Sequence, residues 1–418
     1  MFFAASIFLI SYALIMSEKV PHTIAAMVGG ILMVIFGVLD QDKAIHYIDF
    51  DTIGLLCGMM IIVLVLKKTG LFQYLAIKSV KLSKGNPTWI LVSLAVFTAV
   101  MSALLDNVTT VLIVAPITLA IADTLSISPI PFLVSEILFS NIGGTATLIG
   151  DPPNILIGNS SHLSFMSFIT HNLPILLVIG VLTLIFLRFY YRKQLTIPVD
   201  KEKLIEGFDE SKSIKNYKHL IICLIVVLLT FTGFILHSRF DLKLATIALF
   251  GGFTLLMITK THPEEILKDI EWGTVFFFVG LFVLAGGLEA TGLIEIVAKK
   301  MVLATNSIKT MSFAVLWGSA IASSIVDNIP FTATMIHVIN SIDKMGIYNV
   351  QPLWWSLSLG ACLGGNATIV GAAANVIVSS YAKANNQNIG FLNYMKVAVP
   401  VTIVAISLSM GYILLVDL

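Results

Sequence analysis

Two clusters of polar and helix-breaking residues interrupt long apolar segments of this chain, and both return 221 residues later without a gap. The first is Ser102-Ala103-Leu104-Leu105-Asp106-Asn107-Val108-Thr109-Thr110. The second is Asn141-Ile142-Gly143-Gly144-Thr145-Ala146-Thr147-Leu148-Ile149-Gly150-Asp151-Pro152-Pro153-Asn154. Asp106-Asn107 returns as Asp327-Asn328, and Gly143-Gly144-Thr145-Ala146-Thr147 as Gly364-Gly365-Asn366-Ala367-Thr368. Gly150 maps to Gly371 and Asn154 to Asn375. The 418 residues are 57% hydrophobic and 12% charged, about half the charge of a soluble domain, so the surroundings of these clusters are lipid and protein. A polar group in hydrocarbon costs several kcal/mol unless it is satisfied. Four clusters paired by an internal repeat therefore predict the binding site of a membrane transporter.

Little else competes with that reading. A formal net charge of +1 gives no reason to expect nucleic acid. Cys57, Cys223 and Cys362 lie in apolar segments without metal-ligand spacing and read as small buried residues. Met1-Phe2-Phe3 lacks a basic n-region, so the start reads as a first span and not a cleaved leader. Neither a Gly-x-x-x-x-Gly-Lys-Ser/Thr phosphate loop nor a His-Glu-x-x-His motif is present. That argues against an ATP-driven pump on this one chain and leaves room for a separate ATPase subunit.

Apolar segments run over 2–16, 23–39 and 53–66, followed by an amphipathic stretch at 71–84 in which Lys78, Lys81 and Lys84 recur at helical spacing. The stretch 89–122, interrupted at Asp106-Asn107, predicts a re-entrant hairpin. A span broken by glycines and prolines follows at 132–168, and 173–190 closes a first repeat, 1–190. A charged linker covers 191–218. The second repeat, 219–418, brings spans at 219–236, 242–258 and 274–288, an amphipathic 293–303, a hairpin at 310–342, a broken span at 353–381 and a last span at 397–416. The outer elements match too: Ile48-Asp49-Phe50 with Gly58 and Thr69-Gly70-Leu71 parallels Ile270-Glu271-Trp272 with Gly280 and Thr291-Gly292-Leu293, at an offset of 222.

Each half then crosses five times. Five is odd, so the second repeat is inverted relative to the first. Charge tests this. With the N-terminus on one side, that side receives Lys43, Arg239, Lys243, Lys299, Lys300, Lys309 and Lys344, and the opposite side the other 18 of the 25 Lys and Arg. The positive-inside rule makes the richer side cytoplasmic and both termini external. The predicted fold class is an all-α polytopic membrane protein of two inverted five-span repeats, each with a hairpin and a broken helix.

The clusters admit two readings each. Asp106 and Asp327 sit where helix caps belong, and with Asn107 and Asn328 they offer the carboxylate and amide oxygens that suit a hard cation such as Na⁺. A carboxyl withdrawn from water also holds its proton more tightly, so one Asp can exchange a proton for a cation. Gly143-Gly144 and Gly364-Gly365 loosen a helix and free carbonyls; close packing is the alternative. Asp151 reads as a cap before Pro152-Pro153 or as part of the site, and its counterpart is Ala372. Asn154 and Asn375 occur in both halves and are stronger site candidates. Glu136 is either a proton relay or an acid reaching water near the cytoplasmic end. His337 packs between helices or titrates near neutrality. Asn159-Ser160-Ser161 is a glycosylation sequon on the expected outer side.

These motifs, with Asp327-Asn328-Ile329-Pro330-Phe331-Thr332 and Gly360-Ala361-Cys362-Leu363-Gly364-Gly365-Asn366, resemble the ion transporter superfamily along essentially the whole chain. The similarity is greatest to its branch of arsenite permeases, NhaD-type sodium/proton antiporters and the melanosomal P protein. The resemblance implies a homodimer with a static scaffold and a transport domain that moves as an elevator. It places the hairpin-tip motif on Ser102, Asp106, Asn107 and Thr109 and on Ser323, Asp327 and Asn328. Its broken-helix motif falls on Thr145, Thr147 and Asn154 and on Asn366, Thr368 and Asn375. The dicarboxylate transporters of the superfamily carry Ser-Asn-Thr at the tips, where this chain has Asp-Asn. The expected activity is cation (Na⁺)/proton antiport without a cofactor, in a bacterial cell membrane; arsenite or antimonite efflux and anion transport are the alternatives.

Overall fold

The computed structural model describes residues 1–17, 19–84, 86–195, 213–214, 216–305, 307–346 and 348–418, and these are helical, with no strand among them. The core of the expected linker, 196–212 and 215, lies outside the described residues.

Six helices form a scaffold: Phe2–Ser17, His22–Ile35 and Phe50–Thr69 from the first repeat, and Tyr217–Phe240, Leu244–Thr259 and Trp272–Ala290 from the second. Helix His22–Ile35 packs on Trp272–Ala290, and Phe50–Thr69 on Leu244–Thr259, so each helix of this pair crosses the repeat mate of the other. Glycine makes both crossings close. A Cβ on Gly280 would stand 2.5 Å from the backbone of Ala26, and one on Gly58 2.5 Å from that of Ala248. In lipid, where apolar side chains gain little from meeting each other, such backbone approach is what holds helices together.

Each half then turns from scaffold to hairpin through one left-handed glycine. Gly70 (φ 83°) joins Phe50–Thr69 to the amphipathic helix Leu71–Leu82, and Gly292 (φ 76°) joins Trp272–Ala290 to Leu293–Ala304. A side chain there would be strained in either repeat.

The hairpins are Pro87–Leu104 with Asn107–Thr124, and Ile308–Ile325 with Asn328–Lys344. Asn86 caps the first, with Pro87 in the opening turn, and a Ser307/Thr310 capping box starts the second. Among the described residues eight helices are long and apolar enough to cross a bilayer, and three of these are hairpin arms. Length alone would let the arms span. The tips of the two hairpins nevertheless line one cavity, so each chain turns back inside the protein.

The broken spans are Ile130–Gly144 with Pro152–Ser161, and Gln351–Gly364 with Ala373–Ala384, the second carrying short 3₁₀ turns at Gly365–Ala367 and Ile369–Gly371. The closing helices correct the sequence reading. They begin at Phe165 and Phe391, not at 173 and 397, and each runs 26 residues. Pro174 and Pro400 sit inside them. The true start is set by Ser164, whose Oγ accepts from the Ser167 N–H at 3.1 Å, after His162 ends the preceding helix in the left-handed region. The first broken span accordingly stops at Ser161 instead of 168.

Candidate functional site

Each hairpin is tied to the broken span of its own repeat by the same bonds. Thr147 Oγ1 donates to the Ala103 carbonyl and Thr368 Oγ1 to the Ser324 carbonyl, both at 2.6 Å. Asn154 Nδ2 donates to the carbonyls of Thr145 (3.1 Å) and Thr147 (2.9 Å); Asn375 Nδ2 does so to Gly365 (2.7 Å) and Thr368 (2.9 Å). The carbonyls freed where the helices break are thus satisfied by an amide from the next half-helix. Glycines complete the joint. A Cβ on Gly150 would lie 2.7 Å from the Ser102 carbonyl, and one on Gly371 2.7 Å from that of Ser323. Gly144 and Gly365 press on Gly150 and Gly371, and Gly143 and Gly364 on the backbones of Ala99 and Ala320. Close packing is therefore one function of the glycine pairs.

Asparagines join the halves. Asn107 Nδ2 donates to Asn141 Oδ1 (3.1 Å), and Asn141 Nδ2 to Asn366 Oδ1 (2.9 Å) and Asn375 Oδ1 (3.0 Å). At the position matching Asn141, Cys362 directs its thiol to Asn154 Oδ1 at 3.6 Å, and Ser358 Oγ donates to the same oxygen at 2.7 Å. Asn141 and Cys362 sat in quoted motifs without being named as site residues, and Ser358 was not singled out; the partners of Asn141, namely Asn107, Asn366 and Asn375, were all among the candidates.

The acids divide by role. Asp106 caps the second arm of its hairpin, Oδ1 accepting from the Thr109 N–H at 2.7 Å, and Asp327 Oδ1 accepts from the Ile329 N–H at 3.1 Å. Asp151 occupies a cap position yet accepts no cap bond. Instead the amide of Asn328, at the tip of the other repeat's hairpin, donates to its two oxygens at 3.2 and 3.3 Å, with Asp151 fully buried. Asp106 and Asp327 line a cavity of about 270 Å³ with Val108, Ile329, Pro152 and Ala373 on the hairpin side, and His22, Leu56, Met60 and Glu271 on the scaffold side. No Lys or Arg lines it among the described residues. Among the buried oxygens with no hydrogen-bond partner in the described residues are Asn107 Oδ1, Thr110 Oγ1 and Ser323 Oγ. Ser102 Oγ, by contrast, donates to the Ser140 carbonyl, and Thr145 Oγ1 to the Asn141 carbonyl. No group of three His, Cys, Asp or Glu side chains converges as a metal site among the described residues. The acidic side chains that line the cavity are those of Asp106, Asp327 and Glu271.

Access differs between the two faces. A vestibule of about 580 Å³, lined by Lys67, Lys68, Gln73, Thr109, Asp269 and Glu271 among others, shares Met60 and Glu271 with the cavity. On the opposite face Asn159 Nδ2, from the first broken span, donates to Thr52 Oγ1 (2.7 Å) and Asp49 Oδ2 (3.2 Å) of the scaffold. The sequon asparagine is a contact between the two parts. Glu136 does not reach water: it is fully buried against Thr118, with Oε2 unpartnered among the described residues. His337 pairs with Glu289 at 2.6 Å.

Residues 12–360 match the citrate transporter (CitMHS) family. The chain is 36% identical over 417 residues to a 46 kDa membrane protein of Mycobacterium leprae, covering 98% of this chain and 97% of that one. It is 38% identical to an uncharacterized transporter of Mycobacterium tuberculosis with the same coverage. It is 32% identical to the human P protein, covering 96% of this chain and 58% of that longer one. Among solved structures, the YdaH transporter of Alcanivorax borkumensis superposes with a TM-score of 0.59 at 15% identity, covering 90% of this chain and 89% of that one. This likeness is one of fold.

Proposed function

The chain belongs to the citrate transporter family of the ion transporter superfamily, a multi-pass membrane transporter, and from that premise we propose that it exchanges a monovalent cation, Na⁺ foremost, for protons. The observation that carries this is the central cavity. Two hairpin aspartates and Glu271 face it, with no Lys or Arg among the described residues, so a bare tricarboxylate would meet three acidic side chains there and, beside them, His22. Asp151, buried beside the tip of the opposing hairpin, and Asp106 are the proton carriers in this reading. Asn107, Thr110 and Ser323 supply oxygens to the cation.

The vestibule opens on the face that carries Lys67 and Lys68, the side the positive-inside rule assigns to the cytoplasm. The geometry is then an inward-open state, closed outside by the Asn159–Asp49–Thr52 contact. Both termini are external in a bacterial cell membrane. Alternation carries hairpins and broken spans past the scaffold as an elevator, within a homodimer.

The test uses proteoliposomes with a pH-sensitive dye inside, to which Na⁺, Li⁺, K⁺, arsenite and citrate are added in turn. Na⁺ or Li⁺ is expected to drive a lumenal pH change that is lost in Asp106→Asn and Asp327→Asn. Full coupling in both variants, or movement of arsenite or citrate with no response to cations, overturns the proposal.

A further inference from the structure

The two repeats place an acid at the start of the third scaffold helix, and the acids do different things. Asp49 caps its helix, Oδ1 accepting from the N–H groups of Asp51 (2.9 Å) and Thr52 (3.1 Å), while Oδ2 takes the Thr52 hydroxyl at 2.6 Å and the Asn159 amide. Glu271 stands at the matching position, accepts no cap bond, and among the described residues takes the Thr274 hydroxyl alone, at 3.2 Å. One methylene longer, its half-buried carboxyl faces open space: it lines both the vestibule and the central cavity, a property it shares with Met60. Where the two spaces adjoin, both are lined by the Glu271 carboxyl and the Met60 thioether. Lys67 and Asp269 stand on the vestibule side, and His22, Asp106 and Asp327 on the cavity side.

We propose that Glu271, fixed in the scaffold, is a positioning residue that hands the cation between the vestibule and the hairpin aspartates. This rests on the cation/proton exchange reading above. Its action is one-sided, because the equivalent acid on the other face is engaged by its own helix and by Asn159. A carboxylate in the lane concentrates cations at the mouth of the cavity and opposes anions. Its removal raises the concentration of ion needed from that face without touching the translocation step.

Na⁺/H⁺ exchange is measured in everted and in right-side-out membrane vesicles, so that Na⁺ is offered first to one face and then to the other. Glu271→Gln is expected to raise KM for Na⁺ about tenfold from the vestibule face and to leave the KM from the other face unchanged, the matching fall in kcat/KM that detailed balance requires there appearing in kcat. The unaltered KM from the other face reports that the variant is folded and binds the ion. An unchanged KM at the vestibule face overturns the inference alone, as does a KM that rises equally at both faces. A wild-type protein silent to Na⁺, Li⁺ and K⁺ overturns the exchange reading and this inference with it.

Discussion

The two halves of the transport core are alike in backbone and unlike in side chains. Thr147 and Thr368 make the same bond, Asn154 and Asn375 satisfy the same break, and Gly150 and Gly371 meet the same carbonyls. Yet Asp151 corresponds to Ala372, Asn141 to Cys362, and Ser323, whose Oγ finds no partner among the described residues, answers a bonded Ser102. What both halves need is a hairpin that returns and a helix that breaks, and those depend on carbonyls and small residues. What each half does with the space is free to diverge. A duplicated joint therefore does not imply duplicated sites.

The largest effect should come from chemistry that only one half has. Asp151→Asn keeps an acceptor for Asn328 and removes the titrating group, so proton-coupled transport is expected to fall about a hundredfold with unchanged elution in detergent. Ala372→Gly, at the matching position, should leave transport near wild type. Comparable losses in both would break the comparison. The shared joints should instead fail equally. Gly58→Ala and Gly280→Ala each push a Cβ into a facing backbone 2.5 Å away, and each should destabilise by about 1–3 kcal/mol, read as matched drops in melting temperature.

A smaller pair tests the closing helices. Asn172 Nδ2 donates to the Thr145 carbonyl at 2.9 Å, and Tyr394 Oη to the matching Asn366 carbonyl at 2.7 Å. Tyr394→Phe should cost about 1–3 kcal/mol by orphaning a buried acceptor, and Asn172→Leu less at the Thr145 carbonyl, which keeps its bond from Asn154. The smallest effect belongs to the surface. Lys68 binds Glu265 at 2.8 Å, and that hydrogen bond and charge hold the Glu265 carboxyl below its ordinary range. Such a tether is complete at neutral pH and lost as pH falls through the lowered value. Both groups are exposed, so Lys68→Ala should leave the melting temperature at pH 7 unmoved.

How much of this was legible follows the same division. The repeat, the hairpin tips, the broken helices and the left-handed turns at Gly70 and Gly292 are written in residues whose local physics is unambiguous. The closing helices were not. Pro174 and Pro400 look like stops, and only tertiary packing shows that the helix runs on through them. Asn172 and Tyr394 reach matching carbonyls from different registers: with the prolines aligned, Tyr394 falls one turn before the position of Asn172. No fixed offset finds that pair. Asp151 gave a cap signature that was correct in position and wrong in bonding, because its partner lies 177 residues away. The contrast between Asp49 and Glu271 depended on one methylene.

The glycine crossings in the scaffold carry a mechanical consequence. Where helices touch backbone to backbone there is no layer of flexible side chains to absorb a displacement, so these two contacts yield little. In the elevator movement proposed above, a load applied by a hairpin would pass through them and be released at the polar contacts of Asn159 with Asp49 and Thr52. On that proposal the scaffold serves as a rail.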